Sequence, residues 1–305
     1  MHSLVVCADG QRIAARFYRP QGKTRGSVLI VPAMGVTQDY YRPFASWLAK
    51  QGYVAATFDY RGTGLSGPRD LRGFKADIFD WARLDCAAMI DALPERPLYW
   101  IGHSLGGQIL ALVPNQHLIA KAVTVATGSG YWRENALRIR PLAWWLWFVV
   151  APPALALWGY FPGRTLRKVG DLPKGVMAQW RRWCLDPEYA VGAEGDAVRT
   201  KYAAVRLPIV SLSFSDDEMM SARNTESIHG FYANAPRKMK RIAPHDIGVR
   251  RIGHFGFFRA AFERSLWRPH LLPELTKPLP APLHASRAAS RGARRGFPDA
   301  RSRSP

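Results

Sequence analysis

The chain has 305 residues, 48% of them apolar and 22% charged, a balance that excludes a wholly disordered, collagen-like or coiled-coil protein and leaves enough chain for a sizeable core. Forty-three Lys and Arg against 23 Asp and Glu give a formal charge of +20, which points toward anionic partners. Much of the excess is local: from Thr276 onward seven Lys and Arg stand against Asp299 alone, in a stretch rich in Pro, Ala, Ser and Arg, read as a basic disordered tail and not as a nucleic-acid-binding module.

Taken in chain order, the apolar runs alternate between strand-like and helix-like. Ser3–Cys7 and Arg12–Tyr18 flank Asp9-Gly10, the signature of a tight hairpin. Ser27–Val31 is a short apolar run of the kind buried on both faces of a sheet. Tyr40–Lys50 carries Tyr41, Phe44, Trp47 and Leu48 at helical spacing, with Gly52 placed to end it. Strand Tyr53–Phe58, helix Asp77–Leu93 and strand Leu98–Ile101 follow. Lys121–Ala126, Leu207–Phe214 and Lys238–Ile242 complete the strands. Strand-helix alternation predicts an α/β protein with a mostly parallel central sheet flanked by helices, its chemistry at the carboxyl ends of the strands.

Between the sixth and seventh strands the composition changes. Seven of the eleven tryptophans fall between Trp132 and Trp183, among several prolines, which predicts a largely helical cap inserted after the sixth strand. The expected plan is a core in two parts, 1–128 and 206–275, an aromatic-rich insertion over 129–205, and the tail over 276–305. The apolar stretch from Arg140 to Gly163 is nearly long enough to span a membrane, but Pro152-Pro153 is expected to break it. A cap with affinity for lipid is the favoured reading over a span.

The chemistry centres on Gly102-His103-Ser104-Leu105-Gly106, directly after a strand and directly before a helix. A nucleophilic serine on so sharp a turn needs small residues two before and two after it, where backbone segments crowd. It also needs a base and a carboxylate to orient that base, in the chain order Ser, acid, His. Ser215-Asp216-Asp217-Glu218 follows the seventh strand and Gly253-His254-Phe255-Gly256 follows the eighth. Asp216 and Asp217 are both candidates for the acid, and His254 is taken as the base with His245 as its rival. The backbone N–H groups of Met34, in the loop after the third strand, and of Leu105 are the expected oxyanion donors.

At these residues the chain resembles the α/β-hydrolase family over roughly residues 5–270. Asp59-Tyr60-Arg61-Gly62-Thr63-Gly64 resembles a loop of the monoacylglycerol-lipase and serine-aminopeptidase branch. In relatives an aspartate opens the pattern Asp-x-x-x-Pro/Ser, which Asp217-Glu218-Met219-Met220-Ser221 fits, so the resemblance implies Asp217 as the acid with Asp216 as the alternative. Gly159-Tyr160-Phe161-Pro162-Gly163 and Leu172-Pro173-Lys174-Gly175 are similar to segments of a bacterial group of predicted α/β-hydrolases of unknown substrate. One departure stands out: where many relatives have His-Gly before the oxyanion donor, this chain has Pro32-Ala33.

The resemblance implies a serine hydrolase that cleaves a carboxylic ester or thioester through an acyl-enzyme. The alternatives are a small-substrate serine peptidase and a non-catalytic lipid- or partner-binding module on the same scaffold. Neither a cofactor nor a metal is expected: Arg61-Gly62-Thr63-Gly64 lacks the Lys-Ser/Thr of a phosphate loop, and the three cysteines form neither a CxxC pair nor a disulfide framework. Asp59 and Arg61 are read as structural. With no basic, apolar leader at Met1, a cytoplasmic location with some membrane association is expected. The expected partner is a small acyl substrate with an apolar chain, bound among Trp144, Trp145, Trp147 and Trp158, with weak contact to an anionic membrane surface and none to nucleic acid.

Overall fold

The computed structural model describes residues 2–166 and 169–276. Its apolar runs form an eight-stranded sheet of β1 (Ser3–Val6), β2 (Arg12–Tyr18), β3 (Ser27–Val31), β4 (Val54–Phe58), β5 (Leu98–His103), β6 (Ile119–Val125), β7 (Ile209–Phe214) and β8 (Arg237–Ile242). Their spatial order is β1-β2-β4-β3-β5-β6-β7-β8. The β1–β2 and β2–β4 pairs are antiparallel and the rest parallel. Strand limits differ from the sequence reading by a residue or two, for local reasons. Pro208 has no N–H for a ladder, so β7 begins at Ile209 while the Pro208 carbonyl accepts from Ala122 N–H at 2.9 Å.

β3, β4 and β5 are buried along their whole length because both faces of the sheet are covered. Side chains alternate between the faces. Val28 and Ile30 pack with α1 (Arg42–Lys50) and with Phe257, Phe258 and Trp267 of the C-terminal segment. Leu29 and Val31 pack with Trp81 and Ile90 of the helical stretch α2 (78–91), which opens on a capping box between Asp77 and Asp80.

The insertion leaves after β6 and returns before β7. It holds α4 (Arg140–Trp158), a two-stranded pair of Tyr160–Phe161 with Leu172–Pro173, α5 (Lys174–Leu185), α6 (Tyr189–Glu194) and α7 (Asp196–Ala204). Its Trp147, Trp183, Tyr189 and Tyr202 share one apolar cluster with Trp100 and Ile109, so packing is continuous across the proposed boundaries at 129 and 205. Buried hydrogen bonds reinforce the junction. Tyr189 Oη donates to Gln108 Oε1 at 2.8 Å and Tyr202 Oη to the Gln108 carbonyl at 2.6 Å.

One expectation about the insertion is corrected. Pro152-Pro153 does not break the apolar stretch: α4 runs continuously over 19 residues. A π-helical turn at Leu146–Val150 widens the backbone just ahead of the prolines, accommodating their missing N–H donors and the clash of their rings with the preceding turn. The tail expected over 276–305 lies, from residue 277, outside the described residues.

Asp59 and Arg61 have structural partners. Asp59 accepts from Gln38 N–H at 2.7 Å and Leu65 N–H at 3.0 Å, fixing the loop after β4. Arg61 bridges exposed Asp9, at 2.6 Å, and fully buried Asp85, at 2.7 Å. Cys7, Cys86 and Cys184 are all buried free thiols.

Candidate active site

Ser104 sits where β5 turns into α3 (Leu105–Gln108), at φ 50° and ψ −111°. That is a strained conformation for a residue with a Cβ, held from several sides. Ser104 N–H donates to the Val125 carbonyl at 2.9 Å and the Ser104 carbonyl accepts from Gly107 N–H at 2.9 Å. The elbow glycines are required by close approach: a Cβ at Gly102 would lie 2.4 Å from the Gly106 carbonyl oxygen, and one at Gly106 would lie 2.2 Å from that of Val31.

The acidic turn and the histidine loop come together at the carboxyl ends of β7 and β8. His254 Nδ1 lies 2.9 Å from Asp217 Oδ2 and 3.1 Å from Oδ1, both side chains almost wholly buried. A carboxylate in that position fixes Nδ1 as the protonated nitrogen and leaves Nε2 bare. Asp217 Oδ1 also accepts from Met219 N–H at 2.8 Å and Met220 N–H at 2.9 Å.

The neighbours of Asp217 serve the same loop through its backbone. Asp216 Oδ2 accepts from Ile252 N–H at 2.8 Å and Gly253 N–H at 3.1 Å, and Glu218 Oε2 accepts from His254 N–H at 3.1 Å. Three consecutive carboxylates thus hold one loop, the middle one by the ring and the outer two by its amides. His245 is exposed beside Asp246 at 3.3 Å and has no part in this arrangement.

Sequence reasoning missed a buried chain of hydrogen bonds behind the elbow. His103 Nε2 lies 3.1 Å from the His254 carbonyl, which can only accept, so Nε2 carries the proton and Nδ1 is an acceptor. Tyr41 Oη, 2.8 Å from Nδ1, therefore donates to it, and in turn accepts from Ala33 N–H at 2.9 Å. One directional chain links the oxyanion loop, the elbow and the histidine loop. Burial, reinforced by nearby His254, holds His103 well below the ordinary imidazole pKa and so neutral.

Pro32-Ala33, which lacks the side-chain bonds of the usual histidine, is secured by two tyrosines instead. Tyr41 takes the Ala33 amide and Tyr60 Oη donates to the Pro32 carbonyl at 3.1 Å. The insertion braces the same loop, where Gly170 N–H donates to the Gly35 carbonyl at 3.2 Å. Two of the insertion's glycines are explained by backbone contact: a Cβ at Gly163 would lie 2.4 Å from the Gly170 oxygen, and one at Gly175 2.4 Å from that of Ala76.

Ser104, His254, Met34 and Leu105 line one cavity of about 320 Å³. Leu105 opens α3, so its N–H has no acceptor within the helix. The far wall comes from the insertion and includes Ile139, Leu142, Leu146, Trp147 and Trp180.

Of the four tryptophans expected to bind substrate, only Trp147 lines this cavity. Trp144, Trp145 and Trp158 are corrected: they lie on the outer side of α4, each more than 40% exposed. The helical period explains the split, because the buried stripe runs through Ala143, Trp147, Ala151, Ala154 and Leu155. Trp180 of α5, not singled out in the sequence, meets Trp147 edge-on at 4.9 Å and takes the place expected of them.

The family model described as Serine aminopeptidase, S33 matches residues 22–168. No curated protein matches the sequence. Among solved structures, Est816, an N-acyl homoserine lactone degrading enzyme, aligns with a TM-score of 0.59 at 16% identity over 88% of this chain and 100% of its own. Monoglyceride lipase from Saccharomyces cerevisiae aligns at 0.56 and 17%, over 82% of this chain and 88% of its own. An esterase from Exiguobacterium antarcticum aligns at 0.55 and 16%, over 87% and 96%. At such identities the likeness shows the fold alone, that of the α/β-hydrolases; the family match over residues 22–168 makes the chain similar to the monoacylglycerol-lipase and serine-aminopeptidase branch and supports a serine hydrolase in its broad chemistry.

Proposed function

We propose that the protein hydrolyses a carboxylic ester or thioester with an apolar acyl group, through an acyl-enzyme on Ser104. His254 Nε2 takes the serine proton as Oγ attacks the acyl carbonyl, and the N–H groups of Met34 and Leu105 receive the developing oxyanion. Asp217 holds the ring tautomer and stabilises the imidazolium. The proton passes from His254 to the departing oxygen or sulfur. Water, deprotonated in turn by His254, then releases the acid and restores Ser104.

The observation that carries this reading is the composition of the cavity: Ser104 and His254 on its polar side, apolar side chains of the insertion opposite, with the insertion acting as a lid. Each methylene of an acyl chain buried there contributes about 0.8 kcal/mol. A volume of about 320 Å³ falls at the small end for ligand pockets and suits a chain of modest length. An aminopeptidase would need a carboxylate for the substrate's α-ammonium group, and the described lining residues include no Asp or Glu.

A panel of p-nitrophenyl esters tests the reading. We expect kcat/KM to rise from acetate through the first several carbons, and fluorophosphonate labelling to vanish in Ser104→Ala. Activity greatest on acetate and falling steadily to octanoate would overturn the apolar acyl group. Labelling that survives Ser104→Ala would move the nucleophile elsewhere.

A further inference from the structure

The outer face of α4 carries Trp144, Trp145, Phe148, Val149, Leu157 and Trp158, between 43% and 73% exposed. Large apolar side chains gathered on one face mark an interaction site, since an isolated soluble protein gains nothing from leaving them in water. The helix is long and apolar enough to cross a membrane, but it is read as lying along the protein and not as a span. Its inner stripe is packed on the protein, where Trp147 meets Trp180 and the Trp147 carbonyl accepts from Arg181 Nε at 2.6 Å.

Charge identifies the partner. From Asn135 to Gly170 the sequence contains no Asp or Glu; Arg138 and Arg140 stand at the start of α4, and Arg164, beyond its end, pairs with Asp171 at 3.7 Å. Tryptophans with arginines and no acids suit the boundary of a bilayer bearing negative headgroups: the rings sit at headgroup depth and each cation near the surface adds about 1 kcal/mol. Position gives the surface a purpose. Leu142 lines the cavity and is itself 40% exposed, so it connects the outer face of α4 with the space above Ser104.

We propose that the outer face of α4 docks the protein on the surface of an anionic lipid bilayer, with the cavity opening beside Leu142 so that an apolar acyl substrate enters from the lipid. This deepens the esterase reading by naming the source of the substrate. Docking is nonetheless measurable with no substrate present, so either idea can fail alone.

The test is co-sedimentation of the full-length protein with vesicles of equal parts phosphatidylcholine and phosphatidylglycerol, at low and high salt. The comparison is with the triple variant Trp144→Ser, Val149→Ser, Leu157→Ser, whose three positions lie outside the cavity. Its p-nitrophenyl acetate turnover reports folding. We expect the variant to partition at least about tenfold more weakly than the native chain, and the native chain to bind pure phosphatidylcholine less and to loosen as salt rises. Ser104→Ala should bind as the native chain does, even if it is inert toward every ester. Bromine-labelled phosphatidylcholine mixed into the same vesicles should quench tryptophan fluorescence of the native protein, a readout that requires no variant to fold.

Equal sedimentation of native and triple-variant protein would overturn the proposal and assign the attraction to basic residues elsewhere in the chain. So would absence of quenching. A dimer in analytical ultracentrifugation that the three substitutions dissolve, without vesicle binding by the native chain, would overturn it in favour of a second copy covering the face.

Discussion

The turn after β7 and the outer face of α4 are built on opposite principles. In the turn, Asp216, Asp217 and Glu218 all direct carboxylate oxygens at one loop, so that the amides of Ile252, Gly253 and His254 and the imidazole itself each have a partner. On α4, large apolar groups stand in solvent. The first arrangement over-determines a geometry and the second leaves a surface available. A reacting centre has to be held before substrate arrives, because every donor that must reorganise during reaction adds to the barrier. A docking or entry surface has no such need, and its shape is completed by whatever covers it.

The sharpest way to break this comparison is to separate ring from backbone within the acidic turn. Asp217→Asn keeps the volume but favours the wrong imidazole tautomer, and kcat for a p-nitrophenyl ester should fall by about 10⁴-fold with KM little changed. Asp216→Ala leaves the ring partner intact and strips acceptors from two buried amides, which should cost about 1–3 kcal/mol of stability and far less in kcat. Equal kinetic losses in the two variants would show that the loop, and not the ring partner, is what the turn supplies.

Much of the fold was legible in the sequence because buried strands of a parallel sheet read as continuous apolar runs. Ser27–Val31 and Val54–Phe58 could be placed to within a residue. The site was legible where chemistry imposes spacing: Gly102-His103-Ser104-Leu105-Gly106 works only if its glycines are small, and Ser104, Asp217 and His254 lie in the chain order such sites use. What escaped were side-chain bonds to distant backbone. Tyr41 and His103 are 62 residues apart and His103 and His254 are 151 apart, and no periodicity announces such pairs. The continuity of α4 escaped because a π-turn that absorbs two prolines depends on packing and not on the prolines themselves. The outward tryptophans were misplaced because aromatic content was read without its helical phase.

Acid should probe how tightly the buried polar groups are held. His229 accepts at Nε2 from Thr124 Oγ1 and donates from Nδ1 to the Thr225 carbonyl, and burial lowers its pKa from 6.5 to about 4. His103 is shifted in the same direction. At these two positions the unfolded chain therefore binds more protons than the folded chain below about pH 6.5. The stability from each neutral histidine is fully present above that pH and is lost as pH falls toward the folded value. For His229 alone the loss by about pH 4 should approach ~3 kcal/mol. Denaturant unfolding at pH 7 and pH 4.5 measures it, with His229→Gln removing its share. A stability gap between native and variant that does not change with pH would mean that His229 is protonated in place.

Tyr41→Phe isolates the chain that ties the oxyanion loop to the elbow. It removes the acceptor of the Ala33 amide and the donor to His103 and keeps the aromatic packing against Phe258. A stability loss of about 1–3 kcal/mol is expected from the unpaired groups. If Tyr41 positions the oxyanion donor, kcat should also fall, about tenfold, at unchanged KM. A purely structural Tyr41 would move the melting temperature and leave kcat where it was.

The smallest effect is expected on the outer face of α4, and there a null result is the informative one. Trp158 ends the helix with its side chain 43% exposed, and its carbonyl accepts from Arg72 Nε at 3.3 Å on the surface. Trp158→Ala keeps that carbonyl, so thermal stability should change by less than about 0.5 kcal/mol, and the ratio of octanoate to acetate turnover on soluble esters should not change. Trp147→Ala, one residue type and a few turns away, should cost about 3–5 kcal/mol and flatten the chain-length preference, because that ring fills both core and cavity wall. If Trp158→Ala also flattens the preference, the outer tryptophans reach the acyl chain, and the division of α4 into a wall and a free surface is wrong.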